Sequence, residues 1–365
     1  MRSWPFSGPR SRPRAHDPDR PAVKAQVLQS WGGRLTLVDR PRPEPQAGEV
    51  LVAVRACGVG LTVLNYMSGQ LGRPETLPRV PGHEITGVVA EVGRDVTAVR
   101  AGDRVMTFFY LTCGRCEFCR AGRDALCRDP RGNLGVHRDG GYAEFVVLPE
   151  ANVLPLPERV PFIEGTAIPD AIATPYHVCV SRARVHVGDR AVVVGAGGGV
   201  GIHMLQMMRF FGARVVAVDV DDTKLARCRE LGAEALVNFR AADAETQARA
   251  ALEGGATVAV DLVGSEQTLA WAFRLLGRGG RMVTLTTFPD IGFQVISRRM
   301  VLDELEVLGS RYCSRAEVLA AARLVQDGMI RPVVSRTAPL EEVETLHALL
   351  REGRLLGRGA VTFEA

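Results

Sequence analysis

Between Ala25 and Leu148 the apolar residues come in short runs broken by Gly and Pro: AQVLQ, LTLVD, Val50–Val54, Thr86–Val92, Arg104–Phe108 and Gly140–Leu148. Runs of this length predict strands, and their turn-rich spacing predicts a compact β-rich domain with few helices. From about Pro175 the pattern changes to alternating strands and helices. Ala191–Val194 is small and β-branched, suiting a strand buried on both faces. Ile202, Leu205, Met208 and Phe211 then make a helical apolar stripe that Gly212 ends, and Arg214–Val218 is a second strand. Segments 256–264, 281–286 and 304–310 supply later strands of a parallel sheet. Helices are predicted over Ala316–Gln326 and Glu342–Glu352, before a strand-like GRGAVTF.

The turn after Val194 carries chemistry. Gly195-Ala196-Gly197-Gly198-Gly199-Val200-Gly201 joins strand to helix. Glycines there let the backbone turn tightly and bring its N–H groups up to a pyrophosphate at a helix start. The loop holds one glycine more than the short G-x-G-x-x-G fingerprint. Asp219 ends the next strand, where a carboxylate accepts a hydrogen bond from a ribose 2′-hydroxyl. Its charge repels a 2′-phosphate, and Val220, Asp221 and Asp222 bring no cation to offset that. The expected cofactor is NAD(H).

At 365 residues the chain is long enough for two domains, each with its own core. The net charge is +4, but residues 1–20 hold five Arg against two Asp. The nearly neutral remainder argues against a nucleic-acid-binding body. Residues 1–22 contain five Pro and almost no apolar pattern, and read as a disordered extension. No apolar run approaches the ~18–20 residues of a membrane span, and the first residues lack the apolar core of a secretory signal. The expectation is a cytoplasmic protein whose partner is a small molecule, with neither nucleic acid nor membrane involved.

Four of the eight cysteines lie close together: Cys113, Cys116, Cys119 and Cys127, spaced C-x2-C-x2-C-x7-C. Four thiolates fit the closed tetrahedral shell of a structural zinc, which leaves no open position for chemistry. An iron–sulfur cluster uses a similar opening run, but the last spacing here is long and no Pro follows Cys127. Cys57, Cys179, Cys228 and Cys313 stand alone and read as buried, unreactive thiols.

These residues together resemble the zinc-type alcohol dehydrogenases of the medium-chain dehydrogenase/reductase superfamily. The resemblance rests on GHE at Gly82–Glu84, the four-cysteine lobe, DGGYAEF at Asp139–Phe145 and TPYH at Thr174–His177. The glycine loop with Asp219, PVV at Pro332–Val334 and Gly357-Arg358 complete it. It implies an α/β chain with a GroES-like β-rich catalytic domain over residues 23–175, the structural zinc lobe lying at 113–127. A Rossmann domain with a doubly wound parallel sheet follows over 176–314, and residues 315–365 return to the first domain. Homodimers or homotetramers are implied as well. Carried over residue by residue, Thr174 meets the nicotinamide end, Lys224 the adenosine ribose and Arg358 the pyrophosphate. Gly195, Gly197, Gly198, Gly199, Val200 and Gly201 form the loop around it. His83 matches a catalytic zinc ligand with Glu84 beside it, Asp170 matches the third ligand, and Thr62 keeps the proton-passing hydroxyl.

One part of that pattern breaks. The family's G-V-C-x-T-D falls on Gly58-Val59-Gly60-Leu61-Thr62-Val63, so Gly60 stands where the zinc-binding Cys should be. Val63 replaces the Asp beside the threonine, and Asn65 occupies a position that often carries a shuttling His. A catalytic zinc needs three protein ligands and an open position, and here only His83 and Asp170 remain, with Glu84 in reserve. The expectation is an NAD(H)-dependent oxidoreductase of a small alcohol or carbonyl, with an altered, zinc-free catalytic site. Thr62, Asn65 or a protonated His83 would then meet a developing oxyanion. The same arrangement suits an enoyl- or quinone-type reductase of carbonyl-conjugated C=C bonds. A non-catalytic NAD-binding protein is the third reading, opposed by the retained Thr62, Asp170 and nucleotide fingerprint.

Overall fold

A computed structural model of the chain describes residues 21–70 and 77–364. All of the Arg/Pro-rich extension but Pro21 and Ala22 lies outside the described residues. The described residues form two compact units, 21–70, 77–158, 337–348 and 360–364 in one, 159–336 and 349–359 in the other.

The first unit is built from strands, as the short apolar runs predict. They are β1 (Ala22–Leu28), β2 (Leu35–Pro41), β3 (Glu49–Val59), β4 (Ile85–Val92) and β5 (Arg104–Thr107). The short β6 (Tyr110–Leu111) and β7 (Gly132–Asn133) pair with each other, and β8 (Phe145–Pro149) and β9 (Val153–Pro155) follow. Antiparallel pairing runs β3 to β4, β4 to β5 and β5 to β9, with β8 also on β3. Val50, Val52, Val54, Val89, Met106, Val146 and Leu148 bury the inner face. The run read as one strand over Gly140–Leu148 is a strand only from Phe145. Its first part instead hydrogen-bonds the turn ahead of His83, Gly140 N–H to Val80 O and Gly141 N–H to Gly82 O. Gly82 has φ +92 there, a left-handed conformation that a side chain would strain.

The second unit is a doubly wound parallel sheet. Its strands are β10 (Arg190–Val194), β11 (Arg214–Asp219), β12 (Ala235–Asn238), β13 (Ala256–Asp261), β14 (Leu276–Thr284) and β15 (Glu306–Gly309). They lie in the order β12-β11-β10-β13-β14-β15, and every neighbouring pair is parallel. The order reverses at β10, and in such sheets ligands bind beyond the strand ends at that point. Val192, Val194, Val216, Val218, Ala259 and Met282 form the strand side of its core, against Leu269, Trp271 and Phe273. The chain ends on β16 (Val334–Pro339) and β17 (Arg358–Thr362), which extend the sheet of β3 in the order β16-β17-β3-β4-β5-β9. Among the described residues no helix is long and apolar enough to cross a membrane.

Candidate active site

The glycine loop sits where the doubly wound sheet changes direction. Gly195 leaves β10 with φ +81, and the N–H groups of Gly195 and Ala196 both bond Val218 O of β11, at 2.8 and 3.0 Å. That pins the loop between two strand ends. The helix Gly201–Phe210 starts after Val200, whose side chain makes no cap to its first-turn N–H groups. Gly197 accepts no Cβ because the Lys224 side chain lies against it, and Gly199 none because the Arg358 guanidinium does. The glycines thus bring both cations of the sequence reading to the loop.

Three acidic residues lie at and just beyond the end of β11, and each does something different. Asp219 is buried and accepts from Gly197 N–H at 2.8 Å and from Val220 N–H at 2.8 Å. Asp221 caps the helix Asp222–Glu230 by accepting from the N–H groups of Thr223 and Lys224. Asp222 accepts from Asn238. Only Asp219 faces the loop.

Asp170 and Thr174 lie on a helical run interrupted by a wide turn, where Ile172 N–H bonds Ala167 O five residues back. Wide turns of this kind concentrate at functional sites. Thr174 Oγ1 donates to Asp170 Oδ1 at 2.8 Å, and Arg358 Nη2 lies 3.3 Å from Asp170 Oδ2. The run is braced twice. Tyr312 Oη donates to Pro169 O at 2.7 Å, and Glu317 takes His177 Nδ1 at 2.9 Å and Ser181 Oγ at 2.6 Å.

His203 was not legible as part of this site; as a lone histidine it reads as structural or surface. It is fully buried one turn into the helix that follows the loop. Its Nε2 accepts from Val333 N–H at 2.9 Å, which leaves the proton on Nδ1 to donate to Gly199 O at 2.7 Å. Burial lowers its pKa to about 4, so the ring is neutral at pH 7. It acts as a brace for the loop. Its position four residues after Gly199 was the one available signal.

In the first unit, His83 and Glu84 are buried just before β4. The His83 ring packs edge-on against Phe109, centroids 4.6 Å apart, and Thr107 Oγ1 donates to its carbonyl at 2.9 Å. Gly58 N–H bonds Glu84 O at 2.8 Å, and the Glu84 side chain fills the space a Cβ at Gly58 would need. Thr62 and Asn65 lie half-buried on the helix Leu61–Met67, while Val63 between them is buried. Gly60 precedes that helix at φ −142 and ψ 169, extended backbone that any residue adopts. The backbone does not demand glycine there. Burial, then the Glu84 carboxylate, hold the Cys57 thiol well above its ordinary pKa, so it is inert.

A family model described as alcohol dehydrogenase GroES-like domain matches residues 46–158, and one described as zinc-binding dehydrogenase matches 199–327. An alcohol dehydrogenase of Geobacillus stearothermophilus is 33% identical over 338 residues, 92% of this chain and 98% of its own. The chain belongs to the zinc-type alcohol dehydrogenase family of the medium-chain dehydrogenase/reductase superfamily. It is therefore an oxidoreductase. A solved NAD-dependent alcohol dehydrogenase superposes with a TM-score of 0.87 at 34% identity, covering 93% of this chain and 100% of its own. An acryloyl-coenzyme A reductase of Metallosphaera sedula is 29% identical over 93% of this chain and 100% of its own.

In this alcohol dehydrogenase-like chain the four-cysteine lobe fits zinc. Sγ atoms of Cys113, Cys116, Cys119 and Cys127 all lie within 4.8 Å of one another, with Cys116 to Cys119 at 3.5 Å. Four sulfurs each about 2.3 Å from a central ion sit roughly 3.8 Å apart, so little movement closes the shell. Gly114 (φ +69) and Gly122 (φ +67) make the turns this requires. Gly60 stands at the position of the family's ligating thiolate, and the two oxygens of Asp170 meet a hydroxyl and a guanidinium.

Proposed function

We propose that this enzyme uses NAD(H) to pass a hydride to or from a small alcohol or carbonyl substrate, in a site without catalytic zinc. The observation that carries the reading is Asp219, whose carboxylate stands at the end of β11 against the loop with no cation from Val220, Asp221 or Asp222 beside it. That favours a free ribose 2′-hydroxyl over a 2′-phosphate. The glycine-loop N–H groups and Arg358 suit the pyrophosphate, and Thr174 the nicotinamide end. The absent thiolate at Gly60 supports a metal-free reaction centre.

NAD(H), when bound, supplies or takes the hydride. The chain's residues must then manage the charge left on substrate oxygen. Thr62 passes the proton to or from that oxygen, and Asn65 and His83 are further donors for it. His83 and Val63 are themselves buried, and hydrogen bonds to that charge are stronger in surroundings of that kind than in water. Cys113, Cys116, Cys119 and Cys127 would hold a zinc that keeps their lobe closed, and four thiolates would leave it no open position for chemistry.

A second reading, reduction of a C=C bond conjugated to a carbonyl, is favoured by the similarity to the acryloyl-coenzyme A reductase. There the hydride goes to carbon and a spread enolate needs only hydrogen-bond donors. Purified protein should be offered NADH or NADPH with a panel of ketones, aldehydes, enones and quinones. NADH consumption with ketones supports the first reading, and consumption with enones or quinones alone supports the second. No turnover with any of them under either cofactor would refute both readings.

A further inference from the structure

We infer that Asp170 is a cofactor-positioning residue that holds Arg358 and Thr174 in place for the dinucleotide. This rests on the proposed dinucleotide site. Position 170 is where the family resemblance suggests a zinc ligand, but its surroundings point elsewhere. The Asp170 side chain is 11% exposed and each oxygen has its own partner, Thr174 Oγ1 at 2.8 Å and Arg358 Nη2 at 3.3 Å. By the family resemblance those two partners serve different parts of the cofactor, Thr174 the nicotinamide end and Arg358 the central pyrophosphate.

The guanidinium is placed by more than this one pair. A Cβ at Gly199 would stand 2.5 Å from Arg358 Nη1, so Nη1 lies on the glycine loop while Nη2 is turned to Asp170. The backbone agrees. Arg358 N–H bonds Val333 O at 2.9 Å, and Gly357 N–H bonds Gly197 O at 3.3 Å. Val333 is in turn the donor to His203, which bonds Gly199 O. Asp170, Arg358, Val333 and His203 therefore make a closed set of contacts around Gly197 and Gly199. A guanidinium is a planar fork, and fixing one edge with a carboxylate leaves the other edge oriented before a phosphate arrives. Preorganisation of that kind strengthens binding by removing the ordering cost from the binding step.

The test compares Asp170→Asn and Asp170→Ala with wild type in equilibrium binding of three probes: NADH, ADP-ribose and AMP. ADP-ribose carries the pyrophosphate and AMP lacks it. We expect both variants to weaken NADH and ADP-ribose about tenfold or more while AMP binding and zinc content per chain stay unchanged. In an Arg358→Met background, Asp170→Asn should have almost no further effect on ADP-ribose. Three outcomes overturn the inference: equal weakening for all three probes, tighter ADP-ribose binding, or loss of one zinc per chain. The last would make Asp170 a metal ligand, and tightening would make it a competitor for the guanidinium. If the alanine variant fails to fold, Thr174→Val removes one arm of the set and should weaken NADH more than ADP-ribose; equal weakening of the two would overturn the inference. Should wild type prefer NADPH, the NAD(H) reading fails, but ADP-ribose against AMP still reads Asp170.

Discussion

Removing the Glu317 carboxylate should destabilise the second unit in a way that pH reveals. The group clamps the helix Arg315–Gln326 to the run that carries Asp170 and Thr174. It accepts from His177 Nδ1 at 2.9 Å, Ser181 Oγ at 2.6 Å and Ser314 N–H at 2.7 Å, and its side chain is 14% exposed. Burial by itself would raise its pKa, but the hydrogen bonds from His177, Ser181 and Ser314, with the His177 charge, outweigh that and hold it at about 2. A fall from the ordinary 4.5 is worth roughly 3 kcal/mol, at about 1.36 kcal/mol per unit. A depressed carboxylate gives its full stabilisation above the unfolded-state value and loses it as pH falls through about 2. The charge in wild type therefore contributes roughly 3 kcal/mol at pH 7 and about half that at pH 3. Glu317→Gln removes the charge and turns an amide N–H₂ toward groups that are themselves donors. Urea unfolding of wild type and variant at pH 7, 4 and 3 measures the difference. A deficit of about 2–3 kcal/mol at pH 7 that shrinks by roughly half at pH 3 is expected. A deficit that is negligible at pH 7, or equal at all three values, would refute the clamp.

Other changes have equally definite outcomes. Asp219→Asn keeps an acceptor for Gly197 but removes the charge, so NADH binding should weaken about 10–100-fold and the NADH-over-NADPH ratio should fall with it, read from titrations with each cofactor. His203→Leu severs the link from Gly199 O to Val333 N–H, so NADH binding should weaken and stability fall by about 1–3 kcal/mol at pH 7. Because burial depresses the wild-type imidazole to about 4, wild type should lose stability as pH falls from about 6.5 toward 4; unfolding scans across that range should show a flatter slope in the variant. Cys119→Ser should lower the zinc content by one per chain and open residues 113–127 to limited proteolysis, while a lobe that keeps its metal would contradict the four-thiolate site.

The parts of the fold that were legible were those in which local chemistry decides the structure. The glycine loop, the β-branched β10 and the acidic end of β11 each satisfy a local requirement, so they appear where the sequence pattern places them. The helical tail segments did as well, Arg315–Gln326 and Val343–Arg351 against the expected Ala316–Gln326 and Glu342–Glu352. Gly140–Leu148 misled because apolar residues there pair with the loop around Gly82 rather than extend a strand. The helical run from Phe162 to Arg182 gave no clear period, since wide turns and Pro169 and Pro175 disturb the 3.6-residue spacing. Long-range pairs were beyond reach altogether. Asp170 meets Arg358 across 188 positions, and nothing local to either residue announces the other.

Whether a metal sits at the reaction centre of this oxidoreductase decides how charge on the substrate oxygen is met. Zinc per chain, measured by elemental analysis on protein purified without chelator and in parallel with NADH turnover, tests this most directly. One zinc in an active preparation, held by Cys113, Cys116, Cys119 and Cys127, is the predicted result. Two zincs per chain, with the second removed by a chelator together with turnover, would contradict it and assign His83, Glu84 and Asp170 to the metal.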